Sequence, residues 1–486
     1  MSVWRNDFEK KITSAEHAVS QVKSGSAINI PIFAPRSLLD ALWVRRDELA
    51  DVRLLFNAPT YNPGWFDPNT DHPFGVDFEI FIGDVGRASH DHLLASYVPN
   101  LFSTSFKHVD EVRPGARRPD VAFVACSPPN SAGFVHFGAH HWTKRSLVRR
   151  ADLVIAEIDD TLLRVHGDVY AHVSEFDCFV RGDTRVIGAA EIAAVLEEIK
   201  PEYREQMASL IPKIPQERLR LIYPLLTAFD PEALENQLGL GEPPEEYVGI
   251  AQHLSSLIED GDCIQIGVGE PSSLMVKLGV FDDKNDLGVH TELIAPGTAG
   301  LVERGIVTGR RKNQLKGVVA AAAWTGGSDD DFAIIEDNPS FQLFDPDFIL
   351  DVRRIAANER QVSINNALSV DLTGQINAET VFGARMINGT GGQPENHIGA
   401  FLSRGGRAIT LLPSTALGGA VSRIVPQMET GSLVTIPRFY ADMIVTEYGV
   451  ARLLGKSHRE RAEALIAVSH PDFRDELNDA ARKLFG

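Results

Sequence analysis

Two stretches of the sequence align without a gap: AEHAVSQVKSGSAINIPIFAPRSLLDAL (residues 15–42) and AQHLSSLIEDGDCIQIGVGEPSSLMVKL (residues 251–278). Ten of their 28 positions are identical at a constant offset of 236 residues. Each stretch has the pattern of an amphipathic helix, a turn with glycine, a short apolar strand, a loop and a second helix. This repeated α/β unit indicates a tandem duplication, although two generic α/β segments of similar composition would also look alike.

The repeat predicts the fold class and a division of the chain. We expect an α/β protein with two tandem, structurally similar domains, largely parallel sheets and an active site at the domain interface. The predicted N-terminal domain covers residues 1–199, and the predicted C-terminal domain covers residues 246–486 and carries the nucleophile. Residues 200–245 are polar, helix-prone and interrupted by prolines, which indicates a helical connector or insertion.

The composition narrows the classes of function. The chain has 486 residues, and its 47 Lys and Arg against 66 Asp and Glu give a formal net charge of −19. This charge disfavours binding to nucleic acids and to anionic membranes. The first residues are charged, and no apolar run approaches the ~18 residues of a membrane helix, so we expect a soluble, cytoplasmic protein. The spacing of Cys126, Cys178 and Cys263 indicates neither disulfides nor a zinc site, and we expect each to be buried.

A glycine loop follows the predicted strand of the second repeat. The loop consists of Gly267, Val268, Gly269, Glu270 and Pro271. A helix follows it, and the free N–H groups and positive dipole end of such a helix suit a phosphate or an oxyanion, although tight-turn glycines are often purely structural. Ser272 stands where a dinucleotide-binding fingerprint would have its third glycine, which disfavours a Rossmann NAD site.

Glu292 lies near the end of a predicted strand, in the segment DLGVHTELIAPG (residues 286–297). Because the reference pKa of a glutamate is about 4.3, we expect its carboxylate to be ionised at neutral pH and able to attack a thioester carbonyl without a general base. A single glutamate in a strand is more often a solvated edge residue. The neighbouring His290 is, in the same way, more often packed than catalytic.

A second glycine cluster, NGTGGQ, occupies residues 388–393. Such a loop permits close approach of the backbone to a ligand and can direct N–H groups towards a developing oxyanion. It can equally form a flexible turn that binds nothing.

Several long motifs follow one another along the chain and carry a family resemblance. They are SPPNSAGFVHFG (residues 127–138), LVIAEIDD (153–160), GDVYAHVSEFD (167–177), QIGVGEP (265–271), LGVHTEL (287–293), VSINNALSVDLTGQINAE (362–379), NGTGGQ (388–393), LLPSTA (411–416), IVTEYGVARLLGKSHRERAEALI (444–466) and HPDFR (470–474). With these motifs, the chain resembles the acetyl-CoA hydrolase/transferase family, in particular its 4-hydroxybutyrate CoA-transferase-like members, which are class I CoA-transferases. The resemblance covers nearly the whole chain apart from the connector.

The resemblance implies an enzyme that moves coenzyme A between an acyl-CoA and a carboxylic acid through a glutamyl-CoA thioester, in a ping-pong reaction. The family nucleophile falls on Glu292. The family glycine that helps to hold the thioester falls on Gly389, and the cation near the phosphates of CoA falls on Arg407. The other CoA-contacting positions fall on the loop of residues 267–271, on Asn365 or Asn366, and on Gly391 and Gly392.

The resemblance also implies acyl-CoA and small carboxylic acids as partners, CoA as substrate and covalent intermediate, no tightly bound cofactor, no metal, and a homo-oligomer. Two positions depart from the family pattern. Leu350 stands where relatives commonly have an asparagine that stabilises the oxyanion, and Glu270 stands where relatives often have a small residue. An acyl-CoA hydrolase and a catalytically impaired acyl-CoA-binding protein are the main alternatives, and a nicotinamide-dependent oxidoreductase is a weaker one.

Overall fold

A computed structural model describes residues 3–32, 35–59, 61–80, 83–182, 187–214, 219, 223, 226, 230–237, 243–324, 326–327 and 329–486. The strands are β1 (Ile12–Thr13), β2 (Ala27–Ile30), β3 (Val52–Phe56), β4 (Phe74–Phe78), β5 (Ser96–Tyr97), β6 (Val121–Cys126), β7 (Phe134–His136), β8 (Leu153–Ile158), β9 (His166–Gly167), β10 (Tyr170–His172), β11 (Cys178–Arg181), β12 (Cys263–Ile266), β13 (Gly288–His290), β14 (Val319–Ala321), β15 (Phe341–Leu343), β16 (Gln361–Asn366), β17 (Ser369–Asp371), β18 (Ile376–Asn377), β19 (Thr380–Val381), β20 (Arg385–Met386), β21 (Arg407–Leu411), β22 (Thr415–Ala416), β23 (Val421–Ser422), β24 (Ile424–Val425), β25 (Met443–Thr446) and β26 (Gly449–Arg452).

The helices are α1 (Val3–Lys11), α2 (Ala15–Val19), α3 (Arg36–Val44), α4 (Gly83–Asp91), α5 (Lys107–Asp110), α6 (Lys144–Arg150), α7 (Ala189–Glu198), α8 (Arg204–Leu210), α9 (Pro231–Gln237), α10 (Glu245–Ser255), α11 (Thr298–Glu303), α12 (Asp329–Ile335), α13 (Pro346–Ile349), α14 (Val352–Ala356), α15 (Gln393–Leu402), α16 (His458–Ala467) and α17 (Arg474–Phe485). Among the described residues, every helix falls short of the length or the apolarity that crossing a membrane requires.

Two large sheets share the order of their inner strands. The first sheet runs β1-β11-β8-β6-β2-β3-β4-β5, and the second runs β26-β25-β21-β16-β12-β13-β14-β15-β9. All strand pairs in the first sheet are parallel, and in the second sheet β26 pairs antiparallel with β25. The strands β2 and β12, which belong to the two halves of the sequence repeat, hold the same central place. The predicted α/β fold with two similar, largely parallel sheets is confirmed.

The central strands are buried on both faces, which explains their apolar sequences. All six residues of β6 and all four of β12 are buried. Parallel sheets are covered by helices on both sides, so their strands lack the apolar–polar alternation of half-exposed strands. The core of the second sheet includes Ile264, Val289, Val362 and Ile409, which lie on four neighbouring strands.

The strand order reverses at the centre of each sheet. In the first sheet the reversal lies between β2 and β6, and in the second it lies between β12 and β16. At such a switch point, the loops that leave the carboxyl ends of the two strands diverge and open a crevice, where α/β proteins bind their ligands. The glycine loop of residues 267–271 follows β12 and therefore lies at the crevice of the second sheet.

Backbone pairing ties the two halves together. The short strand β9 belongs to the first half of the sequence but adds to the edge of the second sheet, parallel to β15. Gly167 in β9 has a φ of +114°, and a Cβ atom there would collide with the Leu343 carbonyl. The Trp142 N–H group donates to the Ala322 carbonyl at 3.2 Å, and the Trp324 N–H group donates to the Ala139 carbonyl at 2.9 Å.

The predicted connector of residues 200–245 lies partly outside the described residues. Its described helices, α8 and α9, share an apolar cluster with α7, in which Val195, Met207, Leu210 and Leu234 are buried. Because α7 belongs to this cluster, we propose that the helical unit begins before the predicted boundary at residue 200. The predicted division into residues 1–199, 200–245 and 246–486 otherwise stays a prediction.

Candidate active site

The glycine loop after β12 is held by the last residue of β16. The Asn366 side chain accepts from the Ser272 N–H group at 2.9 Å and donates to the Val268 carbonyl at 3.1 Å. A Cβ atom at Gly267 would lie 2.8 Å from Asn365 Oδ1, so a larger residue there would displace the strand beside it. The loop is thus fixed at both of its ends by β16.

Asn365 has a different role from that of Asn366. Its side chain is buried and exchanges two hydrogen bonds with Gln265, at 3.0 and 3.1 Å, which join β16 to β12. Asn366 is partly exposed and touches the loop itself. Of the two predicted alternatives, the structure therefore places Asn366 at the open side of the crevice and Asn365 beneath it.

The remaining loop residues differ in exposure and in contacts. Val268 projects outward, with 55% of its surface exposed, and Gly269 has a φ of +85° that favours glycine. Glu270 forms a hydrogen bond with Tyr247 of α10, and burial, together with this carboxylate, raises the pKa of Tyr247. Pro271 precedes the 3-10 helix Ser272–Leu274. Glu270 is therefore engaged by the protein and is not a free charge in the crevice.

Glu292 lies two residues beyond the end of β13, next to the glycine loop in the sheet order. Its carbonyl oxygen accepts from the N–H groups of Ala322 at 2.8 Å and Ala323 at 3.3 Å, which fixes its backbone to the segment after β14. Its side chain is partly exposed, and Oε2 accepts from the Gly392 N–H group at 3.0 Å. This places one carboxylate oxygen in a hydrogen bond and leaves the other without a partner among the described residues.

The second glycine cluster closes over Glu292. A Cβ atom at Gly392 would collide with Glu292 Oε2, so only glycine permits this contact. Gly391 has a φ of +58°, with open space around its missing Cβ. The family resemblance implied that Gly389 contacts the thioester, which stays a prediction; a Cβ atom at Gly389 would lie 2.8 Å from the Tyr97 ring, so Gly389 packs closely against Tyr97. Among these glycines, Gly392 is the one that contacts the glutamate.

The first half of the chain contributes residues to the site that the sequence analysis did not single out. Tyr97 in β5 lies against the glycine cluster, and its hydroxyl accepts from the Thr390 N–H group at 2.9 Å. Glu395, in the first turn of α15, is fully buried and accepts from the N–H groups of Phe102 at 3.2 Å and Ser103 at 2.8 Å. Glu292 therefore lies where the two halves meet, as the fold prediction placed it.

The environment of Glu292 corrects one prediction. Burial, followed by the charge of Glu395, raises the pKa of Glu292 to about 8, although the Gly392 N–H group lowers it. Burial likewise raises the pKa of Glu395 to about 7, against the hydrogen bonds from Ser103 and Phe102. The carboxyl group is thus mostly protonated at neutral pH and not ionised as its reference pKa predicts.

His290 and Leu350 are both packed inside the protein. His290 is fully buried, its Nε2 lies 2.7 Å from the Ile349 carbonyl, and burial lowers its pKa to about 3. It is therefore a neutral packing residue. Leu350 is also fully buried and shares an apolar cluster with Ala322 and Ala323, which follow β14. It offers no side-chain donor, and the N–H group that reaches the Glu292 carboxylate is that of Gly392.

Arg407 lies outside the group of residues around Glu292, and its predicted place near the phosphates of CoA stays a prediction. It is the first residue of β21, at the amino-terminal edge of the sheet, whereas the crevice lies at the carboxyl-terminal edge. Its side chain forms ion pairs with Asp262, whose side chain is fully buried, and with Glu259 at 3.5 Å. The Arg407 charge therefore neutralises a buried carboxylate and stabilises the sheet.

The structure also bears on metal binding and on the cysteines. Across the described part of the chain, no group of three or more His, Cys, Asp or Glu side chains is arranged to hold a metal ion. The cysteines Cys126, Cys178 and Cys263 are free and buried, which confirms the prediction of their burial. At the crevice, the backbone N–H group of Gly392 holds the carboxyl group of Glu292.

Comparison with known proteins covers almost the whole chain. Residues 1–191 match the sequence profile of the acetyl-CoA hydrolase/transferase N-terminal domain, and residues 327–481 match that of the acetyl-CoA hydrolase/transferase C-terminal domain. The 4-hydroxybutyrate coenzyme A transferase of Clostridium kluyveri is 30% identical, over 99% of this chain and 100% of that protein. The succinyl-CoA:cyclohexane-1-carboxylate CoA transferase of Geobacter metallireducens is 30% identical, over 99% and 97%. The crystal structure of RipA from Yersinia pestis superposes with a TM-score of 0.79 at 30% identity, covering 100% of this chain and 99% of RipA.

Proposed function

Because the chain belongs to the acetyl-CoA hydrolase/transferase family, we propose that it transfers coenzyme A between an acyl-CoA and a carboxylic acid through a thioester on Glu292. One observation carries the proposal. Glu292 stands at the carboxyl edge of the second sheet, with Oε2 held at 3.0 Å by the Gly392 N–H group. A fixed carboxyl group with one oxygen free of hydrogen bonds is arranged for nucleophilic attack.

The proposed reaction conserves the thioester through two covalent intermediates. The Glu292 carboxylate attacks the acyl carbonyl, and the C–S bond breaks. CoA leaves as a thiolate, and a mixed anhydride between Glu292 and the acyl group remains. The thiolate then attacks the glutamyl carbonyl and releases the first acid as a carboxylate, which leaves a glutamyl-CoA thioester. A second carboxylate reverses the two steps and departs as the new acyl-CoA, with Glu292 regenerated.

The backbone N–H group of Gly392 has a defined role in this proposal. It already donates to the carboxyl group that becomes the glutamyl thioester. When the thiolate attacks that carbonyl, negative charge develops on its oxygen, and a fixed N–H donor stabilises the charge. This donor supplies part of the role that the asparagine plays in relatives and that Leu350 cannot perform.

The raised pKa of Glu292 limits the fraction of molecules that are ready to react. With a pKa of about 8, roughly one molecule in ten carries the carboxylate at pH 7. We therefore expect the first covalent step to accelerate as the pH rises towards about 8.

Acyl-CoA hydrolysis is a second candidate, because the Glu292 side chain is partly exposed. Water that reaches the glutamyl thioester would hydrolyse it and release free CoA. The two activities separate when CoA release from an acyl-CoA is measured with and without added carboxylic acids. A transferase consumes the acyl-CoA faster when an acid is present and forms the new acyl-CoA, whereas a hydrolase releases CoA at the same rate in both cases.

The primary test is intact mass after incubation with acetyl-CoA, butyryl-CoA or 4-hydroxybutyryl-CoA, for the wild type and for Glu292→Gln. We expect the wild type alone to gain the mass of one CoA less one water. If both proteins stay unmodified with every acyl-CoA, the proposed nucleophile is wrong. Binding of acyl-CoA without any adduct would then favour the impaired binding protein.

A further inference from the structure

We propose that Glu395 is a positioning residue for Glu292, because its carboxylate joins the first half of the chain to the helical turn whose N–H group holds the nucleophile. Gly392 is the residue just before α15, and Glu395 lies in the first turn of this ten-residue helix. The two contacts of this turn are therefore coupled: Gly392 reaches Glu292, and Glu395 reaches Phe102 and Ser103. This inference rests on the proposed function of Glu292.

The contact across the halves depends on a carboxylate. Phe102 and Ser103 begin the 3-10 helix Phe102–Thr104, and no side chain of their own element caps it. N–H groups at the start of a helix lack partners within the helix, and a carboxylate is their strongest acceptor. Glu395 places one oxygen on each of the two N–H groups, an arrangement that a side-chain amide could satisfy only once. Its carboxylate thus closes the site from the side of the first half.

A buried acid beside the nucleophile has an electrostatic cost that a purely structural contact would avoid. The charge of Glu395 opposes the ionisation of Glu292. Among the influences on the pKa of Glu292, only burial is larger. The other charged group that acts on Glu395 is Asp351, which is itself paired with Arg353. Glu395 therefore links the position of Glu292 to the pH at which Glu292 becomes a carboxylate.

The test compares Glu395→Gln and Glu395→Asp with the wild type through the rate of adduct formation between pH 5.5 and 9.5. Glu395→Gln removes the charge, so the midpoint of the pH profile should fall by about one pH unit. Glu395→Asp keeps the charge but shortens the reach to Ser103, so the midpoint should stay and the rate should fall about 10-fold or more. The matched control is Asp442→Asn, a buried acid that accepts from the Ala408 N–H group at 3.0 Å at the opposite edge of the sheet. Its pH profile should match the wild type.

An unchanged midpoint in Glu395→Gln would overturn the inference, as would the same shift in Asp442→Asn. A second measurement does not depend on activity: the Tm of Glu292→Gln, Glu395→Gln and the double variant, at pH 5.5 and at pH 9. At pH 9 the two charges repel each other, so the double variant should be stabilised by less than the sum of the two single effects. At pH 5.5 the two single effects should be additive. Additive effects at both values would refute the coupling. If the wild type forms no adduct, the proposed function fails, and this cycle alone decides the role of Glu395.

Discussion

Asn57 and Glu292 occupy the same place in the two sheets but have different surroundings. The strand pairs β2/β3 and β12/β13 have matching registers. Asn57 therefore holds the position in the first sheet that Glu292 holds in the second. Asn57 is buried, accepts from the Thr143 hydroxyl at 2.7 Å and donates to the Glu79 carboxylate. Glu292 is partly exposed and has one hydrogen bond to its side chain.

The difference shows how one scaffold supports structure in one half and chemistry in the other. In the first half, the polar side chain at the strand end is saturated with hydrogen bonds and closed to ligands. In the second half, the equivalent side chain keeps one oxygen without a partner among the described residues, and its strand lies beside the strand that leads into the glycine loop. The corresponding loop after β2 begins with Pro31 and Ile32 and contains no glycine in residues 31–35, of which residues 33 and 34 lie outside the described part of the chain.

The largest effect on activity should come from Gly392→Ala, which fills the space beside the Glu292 carboxylate. The new Cβ atom would collide with Glu292 Oε2 and displace the N–H donor, so we expect adduct formation to fall at least about 10³-fold. The control is Gly300→Ala in α11, where a Cβ atom meets nothing within 4 Å. Its rate should match the wild type, and a comparable loss in both variants would refute the steric argument.

Arg407, at the opposite edge of the second sheet, carries a charge with a structural role, in contrast to the chemical role proposed for Glu292. Arg407→Ala leaves the buried Asp262 with Arg360 alone, so the free energy of unfolding should fall by about 3 kcal/mol. The KM for acyl-CoA should change by less than about 2-fold, because Arg407 lies away from the crevice. Arg404→Ala, which removes an exposed ion pair with Glu359, is the control for stability and should cost less than about 1 kcal/mol. A large rise in KM with Arg407→Ala would support the original prediction.

Asn57→Asp tests whether the first-half position can be made acidic. The substitution replaces an N–H donor with a carboxyl group that faces Glu79, whose pKa is already raised by burial. We expect a loss of about 2 kcal/mol in stability at pH 8 and a smaller loss at pH 5, because a lower pH favours the protonated forms of the two acids and weakens their repulsion. Urea unfolding at the two pH values measures this. Peptide mapping after incubation with acyl-CoA should find no adduct at residue 57, and an adduct there would contradict the distinction between the halves.

The last prediction concerns the stability that the ionised nucleophile costs the native state. The native pKa of Glu292 is about 8, above its ordinary value of 4.5, so the native state binds this proton more tightly than the unfolded chain does. The native state therefore loses stability as the pH rises from about 4.5 to about 8. Glu292→Gln should be more stable than the wild type at pH 8, by up to ~4 kcal/mol for a shift from 4.5 to about 8, and about equally stable at pH 4.5. If the wild type and Glu292→Gln were equally stable at both pH values, the pKa of Glu292 would not be raised in the native state.

Much of the fold could be predicted because the duplication repeats a local pattern. The matching segments of residues 15–42 and 251–278 contain the central strands β2 and β12 and the helices around them. Strand type and the switch points follow from this pattern, since apolar runs flanked by helices form parallel sheets. The strand β9 could not be predicted, because its two residues join the sheet of the other half through long-range pairing.

The site could be predicted only in its local parts. The loop of residues 267–271, Glu292 and the glycine cluster are recognisable as motifs, and the family resemblance they carry is confirmed by the full-length relatives. Glu395 gave no signal, because an acidic residue in the first turn of a helix is common on dipole grounds alone. The pKa of Glu292 could not be predicted either, because it depends on burial and on Glu395, which only the folded chain brings near. The position of Arg407 at the amino-terminal edge of the sheet could not be predicted either, because it depends on where β21 begins.

The strand β9 makes the two halves interdependent for folding. If the chain were divided at the connector, His166 and Gly167 would remain on the first fragment, and β15, their partner, on the second. The second fragment would then expose a row of unpaired backbone groups, which favours aggregation of isolated sheets. We expect two such fragments produced together to restore the missing pairing, and either one produced alone to be more prone to aggregation. We therefore expect the duplicated halves to behave as complementing fragments of one cooperative unit.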